Sequence, residues 1–388
     1  VTNSDSDLLY LDHAANTPVV PAACTAMGRS LERDVANADG VHPAGRGAAE
    51  QIDQAAIEVA AALNGEPESL VWTSGATESI DLALSGATDF YGGDHVVTWA
   101  SEHRATLDVT EQLARRGVGV TTLDVDARGH PDLDALEHVL ADGVTLVSIA
   151  HVNNETGVVA PLARIGALCK RYGALFHIDA AQSVGRLPID VDAVGASLVS
   201  VSAHKIGGPT GIGALYIRRG VGVTPQLRGG GQQDGRRGGT RPTHQIVGMG
   251  AAVGAVRAGA DDERARLEAL DARLWQQLAA VPGVTRNGAG APRAPGFINV
   301  SVSDIHGKAL LAGLNEGSPA LAVSAGSACS AATHQSSHVL RAMGVSPDRA
   351  AASVRFSLGW TTDESTVDNA AWRFADEVAR LRALASAA

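Results

Sequence analysis

Several things are scarce in this chain of 388 residues. It has no run of about 18 apolar residues, so nothing in it reads as a membrane span. Cys24, Cys169 and Cys329 are its three cysteines. An odd number at wide spacings makes neither a disulfide framework nor a zinc motif, and no metal is expected. Residues 1–7 are acidic and polar, the reverse of a secretory leader, so the expected compartment is the cytoplasm. Positive charge is short too. A net charge of −11 argues against direct nucleic-acid binding and leaves open only a local basic patch. Internal repeats and low-complexity tracts are missing. Lysine is almost absent: Lys170, Lys205 and Lys308 are the only ones among 31 basic residues.

What is present is a large globular chain. With 45% hydrophobic and 19% charged residues, it has ample core for two to three domain-sized units. A short strand over 8–12 precedes a helix over 21–34, a Gly/Asn/His loop over 37–47 and an amphipathic helix carrying Ile52, Ala56, Val59 and Leu63. Strands are then predicted at 70–73, 95–98, 118–123, 145–150, 174–179, 196–201 and 212–217. Helices are predicted between them, opening at 74–78 and spanning 107–116, 133–140 and 161–172. Alternating βα units of this length mean a mainly parallel sheet covered on both faces. A long helix over 262–280 opens a region of different composition. There a strand over 297–302, a helix over 306–314, a strand over 353–358 and a last helix over 364–384 are expected. The expected division is a large domain over 15–261 and a smaller α+β domain made of 1–14 and 262–388.

In a doubly covered sheet, ligands bind beyond the carboxyl ends of the strands. Thr77, His103, Asn154, Asp179 and Lys205 all follow predicted strands, so one pocket can gather them. Lys205 lies in Ser202-Ala203-His204-Lys205-Ile206-Gly207-Gly208. A lone lysine is most often a solvated surface residue. In a chain that otherwise uses arginine, this one retains an amine that can lose its proton and condense with an aldehyde. Such an aldehyde cofactor, pyridoxal 5'-phosphate, needs an acid against its ring nitrogen, a flat residue over its ring and a donor near its hydroxyl. Asp179, His103 and Gln182 meet those needs. The turn Ser74-Gly75-Ala76-Thr77-Glu78 is either an ordinary helix cap or an anion site, with Ser202 and His204 adding donors for a phosphate. Gly229 to Pro242, rich in glycine and arginine, admits an RNA-binding segment or a flexible linker. A single short copy between ordered elements favours a functional loop.

These motifs carry a resemblance over almost the whole chain. They are Tyr10-Leu11-Asp12-His13-Ala14-Ala15, Ser101-Glu102-His103, His151 to Gly157, His177-Ile178-Asp179-Ala180-Ala181-Gln182, Ser202 to Gly213, Gly326-Ser327-Ala328-Cys329 and Ser353-Val354-Arg355-Phe356. The chain resembles a group I cysteine desulfurase, of the type serving iron–sulfur clusters and nitrogenase maturation. These belong to the class V aminotransferase-like enzymes of pyridoxal-phosphate fold type I. That fold is aspartate-aminotransferase-like, with a mainly parallel seven-stranded sheet in its large domain. The resemblance implies Lys205, Cys329 and His103 as catalytic residues. It implies that Ala76, Thr77, His103, Asn154, Asp179, Gln182, Ser202, His204 and Lys205 bind the cofactor, joined by Thr240 from the other subunit of a homodimer. It further implies that Arg355, Asn154 and His13 bind the substrate, L-cysteine.

Cys329 decides the reaction class. A thiol in a loop of small residues is commonly a buried hydrophobe. Here the resemblance makes it the nucleophile that takes sulfur from L-cysteine as a persulfide, leaving L-alanine. A sulfur-acceptor protein follows, serving iron–sulfur clusters or thiolation of nucleic acid or a cofactor. The chain departs from the usual pattern at the His13 turn, at Asn37-Ala38-Asp39-Gly40, at Thr210 and at Trp360, all expected near the pocket rim. No C-terminal tail of the kind some relatives use to dock a scaffold protein is expected after the last helix. The rivals are an aminotransferase or lyase of the same fold, which would not need Cys329, and a non-catalytic binding protein.

Overall fold

The computed structural model describes residues 8–33, 36–325 and 336–387. Cys329 and its motif from Gly326, together with residues 1–7, lie outside the described residues.

Short apolar runs bounded by glycine and polar turns become the strands. They are β1 (Leu8–Tyr10), β2 (Leu70–Thr73), β3 (His95–Trp99), β4 (Gly119–Leu123), β5 (Leu146–Ala150), β6 (Leu175–Asp179), β7 (Leu198–Ser202) and β8 (Gly213–Ile217). The sheet has seven strands in the order β2-β8-β7-β6-β5-β3-β4, with β8 antiparallel to both neighbours. Its central strands are buried on both faces, so successive residues enter different cores. Val97, Val147 and Val199 join one cluster, and Val96, Leu146 and Leu198 join the other.

Helices α1 (Pro21–Arg33), α2 (Pro43–Ala61), α3 (Ala76–Tyr91), α4 (Arg104–Arg115), α5 (Leu133–Leu140), α6 (Leu162–Tyr172) and α7 (Thr243–Ala258) cover the two faces. Residues of α3 and α4 fill one core, and those of α2, α5, α6 and α7 the other. Helix α2 begins at Pro43, inside the stretch expected as loop. Pro43 stands in the first turn, and His42 Nδ1 accepts the Gly45 N–H at 3.1 Å, a cap built from residues that read as breakers. Helix α7 was not expected at all. Its Gly/Ala-rich sequence has no polar face, because it packs against both α1 and α2. A methyl group on Gly250 would come within 2.7 Å of the Ala55 Cα.

A second apolar core is built on α8 (Ala260–Ala279) through Leu267, Leu270, Leu274 and Leu278. It includes a three-stranded antiparallel sheet of β9 (Val284–Arg286), β10 (Phe297–Val302) and β12 (Ser353–Ser357). Helix α9 (Gly307–Glu316) and the last helix, Glu364–Ala387, pack against it. Strand β1 crosses to this side and pairs in parallel with β11 (Ala320–Ala322). The chain beyond β1 therefore runs from the second core toward the large sheet, carrying Asp12 to Thr17 between them.

Candidate active site

The carboxyl ends of β2, β3, β5, β6 and β7 open onto one cavity of about 450 Å³. Ala76, Thr77, His103, Asn154, Asp179, Gln182, Ser202, His204, Lys205 and Arg355 all line it. These ten are spread over residues 76–355 of the sequence in short groups, and parallel register brings most of the groups together. Asp179, last in β6, stands opposite Ala150 of β5 and Ser200 of β7.

Each wall has a local cause. Lys205 closes a single 3₁₀ turn after β7, and its Nζ donates to the carbonyls of Ala14 at 2.5 Å and Ala15 at 2.7 Å. Gln182 Nε2 donates to the same Ala14 carbonyl at 2.9 Å. Asp179 Oδ1 accepts the Ala181 N–H at 2.9 Å. Burial pushes the Asp179 carboxyl up to about 6, against the opposing pull of that N–H and of Lys205. His103 caps α4, with Nδ1 accepting the Ala105 N–H at 3.1 Å. Burial, then Lys205, hold its imidazole down at about 4, so the ring is neutral at pH 7 with its proton on Nε2.

The opposite wall carries the donors that an anion would need. Helix α3 starts after Gly75, whose φ of +152° suits glycine, and no side chain caps that start. Ala76 and Thr77 at that start line the cavity with Ser202, whose hydroxyl lies 2.9 Å from His204 Nδ1. Burial and Lys205 depress His204 to about 4. Also on this cavity, Arg355 is 1% exposed. Its Nη1 donates to the Asn154 carbonyl at 2.8 Å and its Nη2 to Asp12 Oδ1 at 2.6 Å.

Two expected residues stand apart. His13, expected among the substrate-binding residues, is not part of the cavity's lining. Its ring is fully buried, with Nε2 3.2 Å from Thr361 Oγ1 and 3.4 Å from Thr362 Oγ1. Burial, then Arg186 and Arg266, hold it near 3. What the turn contributes is main-chain carbonyls, those of Ala14 and Ala15. Thr240 is exposed and borders a neighbouring cavity with Trp72 and Arg237. The glycine-rich loop that carries it is anchored, because Gln233 hydrogen-bonds both main-chain groups of Trp72 and Arg237 forks onto Glu78.

Sequence reasoning passed over two carboxylates here. Glu102 is 2% exposed and its Oε2 accepts the Ala150 N–H at 2.7 Å. Burial, then Asp179, raise it well above the ordinary range. Asp12 is the ion-pair partner of Arg355. Its signal was an acid ending the first strand beside a chain reversal, which has no meaning until the arginine is placed.

The donor set suits a phosphorylated aldehyde that carries a basic ring: an amine, a buried carboxylate, a flat neutral ring and an uncapped helix start. Comparison with known proteins agrees. The model of the family Aminotransferase class-V matches residues 9–370. Cysteine desulfurase IscS of Photorhabdus laumondii is 44% identical over 97% of this chain and 94% of its own length. This chain belongs to the class V aminotransferase family, among its cysteine desulfurases. Two solved structures are similar over nearly their full lengths. A NifS-like protein from Rickettsia africae superposes with a TM-score of 0.86 at 30% identity, covering 95% of this chain and 99% of that one. SspA in complex with cysteine gives 0.80 at 33%, covering 90% and 98%. The family's enzymes depend on pyridoxal 5'-phosphate, and the cavity described above fits that cofactor. Among the described residues no helix is long and apolar enough to cross a membrane.

Proposed function

We propose that this enzyme takes sulfur from L-cysteine, releases L-alanine and holds the sulfur as a persulfide on Cys329 for an acceptor protein. The observation that carries the reading is the meeting of Lys205, Asp179, His103, Gln182 and Arg355 on one cavity. Lys205 would anchor the cofactor, and Asp179 would face its ring nitrogen. His103 would cover the ring, and Gln182 would meet its hydroxyl. The start of α3 with Ala76, Thr77, Ser202 and His204 would take the phosphate. Bound there, pyridoxal phosphate supplies an acceptor for the electron pair left when the substrate loses its Cα proton.

The protein's own groups do the rest. Arg355, beside Asn154, receives the substrate carboxylate through a planar fork. The Lys205 amine takes the Cα proton, because two main-chain carbonyls hold this nitrogen in place at the cavity. Asp179 remains mostly ionised at pH 7, so it can keep a proton on the ring nitrogen opposite. The Cys329 thiolate attacks the substrate sulfur. A sulfur–sulfur bond forms as the carbon–sulfur bond breaks, and the electron pair of that bond stays with the three-carbon fragment. That fragment takes up protons and leaves as L-alanine.

The wider reading has further parts. The chain works as a homodimer in the cytoplasm, with Thr240 completing the partner's phosphate cradle. Its acceptor serves iron–sulfur clusters or a thiolation enzyme. The boundary at about residue 261 divides a cofactor domain from a smaller domain that carries Cys329 and Arg355. Two separate apolar cores support that division. Purified enzyme loaded with cofactor should form alanine from L-cysteine in step with sulfide or acceptor-bound sulfur. Cys329→Ser should abolish the persulfide seen by mass spectrometry. Amino-group transfer to a keto acid with Cys329 alkylated would instead indicate an aminotransferase.

A further inference from the structure

The pairing of Asp12 with Arg355 has no part in the steps above. Asp12 Oδ1 accepts from Arg355 Nη2 at 2.6 Å, and its Oδ2 accepts the Ser324 hydroxyl at 2.9 Å. Ser324 is itself tied to the arginine's main chain, since the Arg355 N–H donates to the Ser324 carbonyl at 2.7 Å. The acid is thus held from two sides. Arg355 Nη1 goes to the Asn154 carbonyl, and the buried Nε has no acceptor among the described residues. An incoming carboxylate therefore meets a guanidinium with N–H groups to spare but with its charge already partly cancelled.

We infer that Asp12 sets how tightly Arg355 holds carboxylates, keeping substrate and product loosely bound. The inference rests on the reading of Arg355 as the carboxylate receptor. Burying one ion of a pair without the other is costly, so an arginine stripped of Asp12 gains more from an external carboxylate. Tight binding that is equal in ground and transition states lowers KM without raising kcat. L-Alanine carries the same carboxylate as L-cysteine, so an uncompensated Arg355 would also hold the product. Asp12 is a positioning residue: it acts through Arg355 and not on the reacting atoms.

The test uses the cofactor-loaded enzyme, with L-alanine binding followed by titration calorimetry and KM and kcat for L-cysteine measured alongside. Asp12→Asn keeps an oxygen acceptor but removes the charge. It should tighten L-alanine and lower KM, each about tenfold, which is about 1.4 kcal/mol, without raising kcat. Asp12→Glu should stay near wild type. A merely structural role would loosen binding and raise KM in both variants. Unchanged or weaker L-alanine binding in Asp12→Asn overturns the inference. If Asp12→Asn does not fold, Asp12→Ser takes its place with the same expected result. Arg355→Gln separates the two claims. Loss of L-alanine binding there supports Arg355 as the receptor, and wild-type binding overturns that reading and with it the role of Asp12. If Arg355→Gln loses L-alanine while Asp12→Asn matches wild type, only the role of Asp12 fails.

Discussion

Lys205 and the histidines around it owe their chemistry to burial more than to their sequence neighbours. The lysine amine is steered by the Ala14 and Ala15 carbonyls, which belong to a segment nearly two hundred residues upstream. Lys205→Ala should abolish alanine formation and remove the visible absorbance of the loaded enzyme, measured by spectrum and by amino-acid analysis. Five histidines are held neutral by burial: His13 and His177 at about 3, and His103, His151 and His204 at about 4. The unfolded chain binds protons on these groups near 6.5 and the folded chain does not, so stability rises with pH across roughly 4 to 6.5. Asp179, Glu102 and Asp271, raised by burial, work in the opposite direction, three groups against five. Melting of the cofactor-free protein should therefore shift upward from pH 4.5 to 6.5. His177, whose ring bridges the Ser148 and Ser200 hydroxyls at 2.8 Å each, supplies part of that slope. His177→Asn should flatten it.

At the scale of elements, the start of α3 is the part whose placement matters most. Its approach to β8 is closer than side chains permit. A Cβ on Gly213 would come within 2.5 Å of the Val201 carbonyl oxygen and 2.7 Å of the Gly75 Cα. Both neighbours are backbone, so the strand or the turn must move. Gly213→Ala should cost about 1–3 kcal/mol by overpacking and weaken cofactor binding several-fold, read by melting and by fluorescence titration with pyridoxal phosphate. A melting loss with unchanged cofactor affinity would show that the turn tolerates the shift. The glycine-rich loop is held to this same element through the Arg237–Glu78 fork, with N–O distances of 2.7 and 3.1 Å. It is thus part of the cradle's outer wall and not a linker.

For the whole molecule, the question is whether one chain completes its own site. Thr240 is exposed and lines a neighbouring cavity, not the main cavity of its own chain. If it serves the partner's cradle, Thr240→Ala and Lys205→Ala proteins should each be poorly active alone. Mixed under conditions that exchange subunits, they should regain activity, because one of the two hybrid sites then has both residues intact. No gain on mixing, with exchange verified by mass, would place Thr240 outside the partner's site. The segment from Asp12 to Thr17 bridges the two cores in the same cooperative sense. It is paired to β12 and bonded to the lysine turn, with the Thr17 N–H donating to the His204 carbonyl at 2.9 Å.

The βα alternation, most strand positions and the residue types of the site were legible from local pattern, because strand and helix periods and glycine turns are local properties. Lys205 and Asp179 stood out because the chemistry they support requires those residue types. Helix α7 was not legible, since its Gly/Ala-rich run packs on two helices without a polar face to reveal its period. The true positions of His13 and Asp12 were not legible either. Their meaning depends on which residue, hundreds of positions away, folds against them: Thr361 and Thr362 for the one, Arg355 for the other. Sequence names the groups able to do chemistry, whereas burial and long-range pairing decide which of them face the cavity and with what charge.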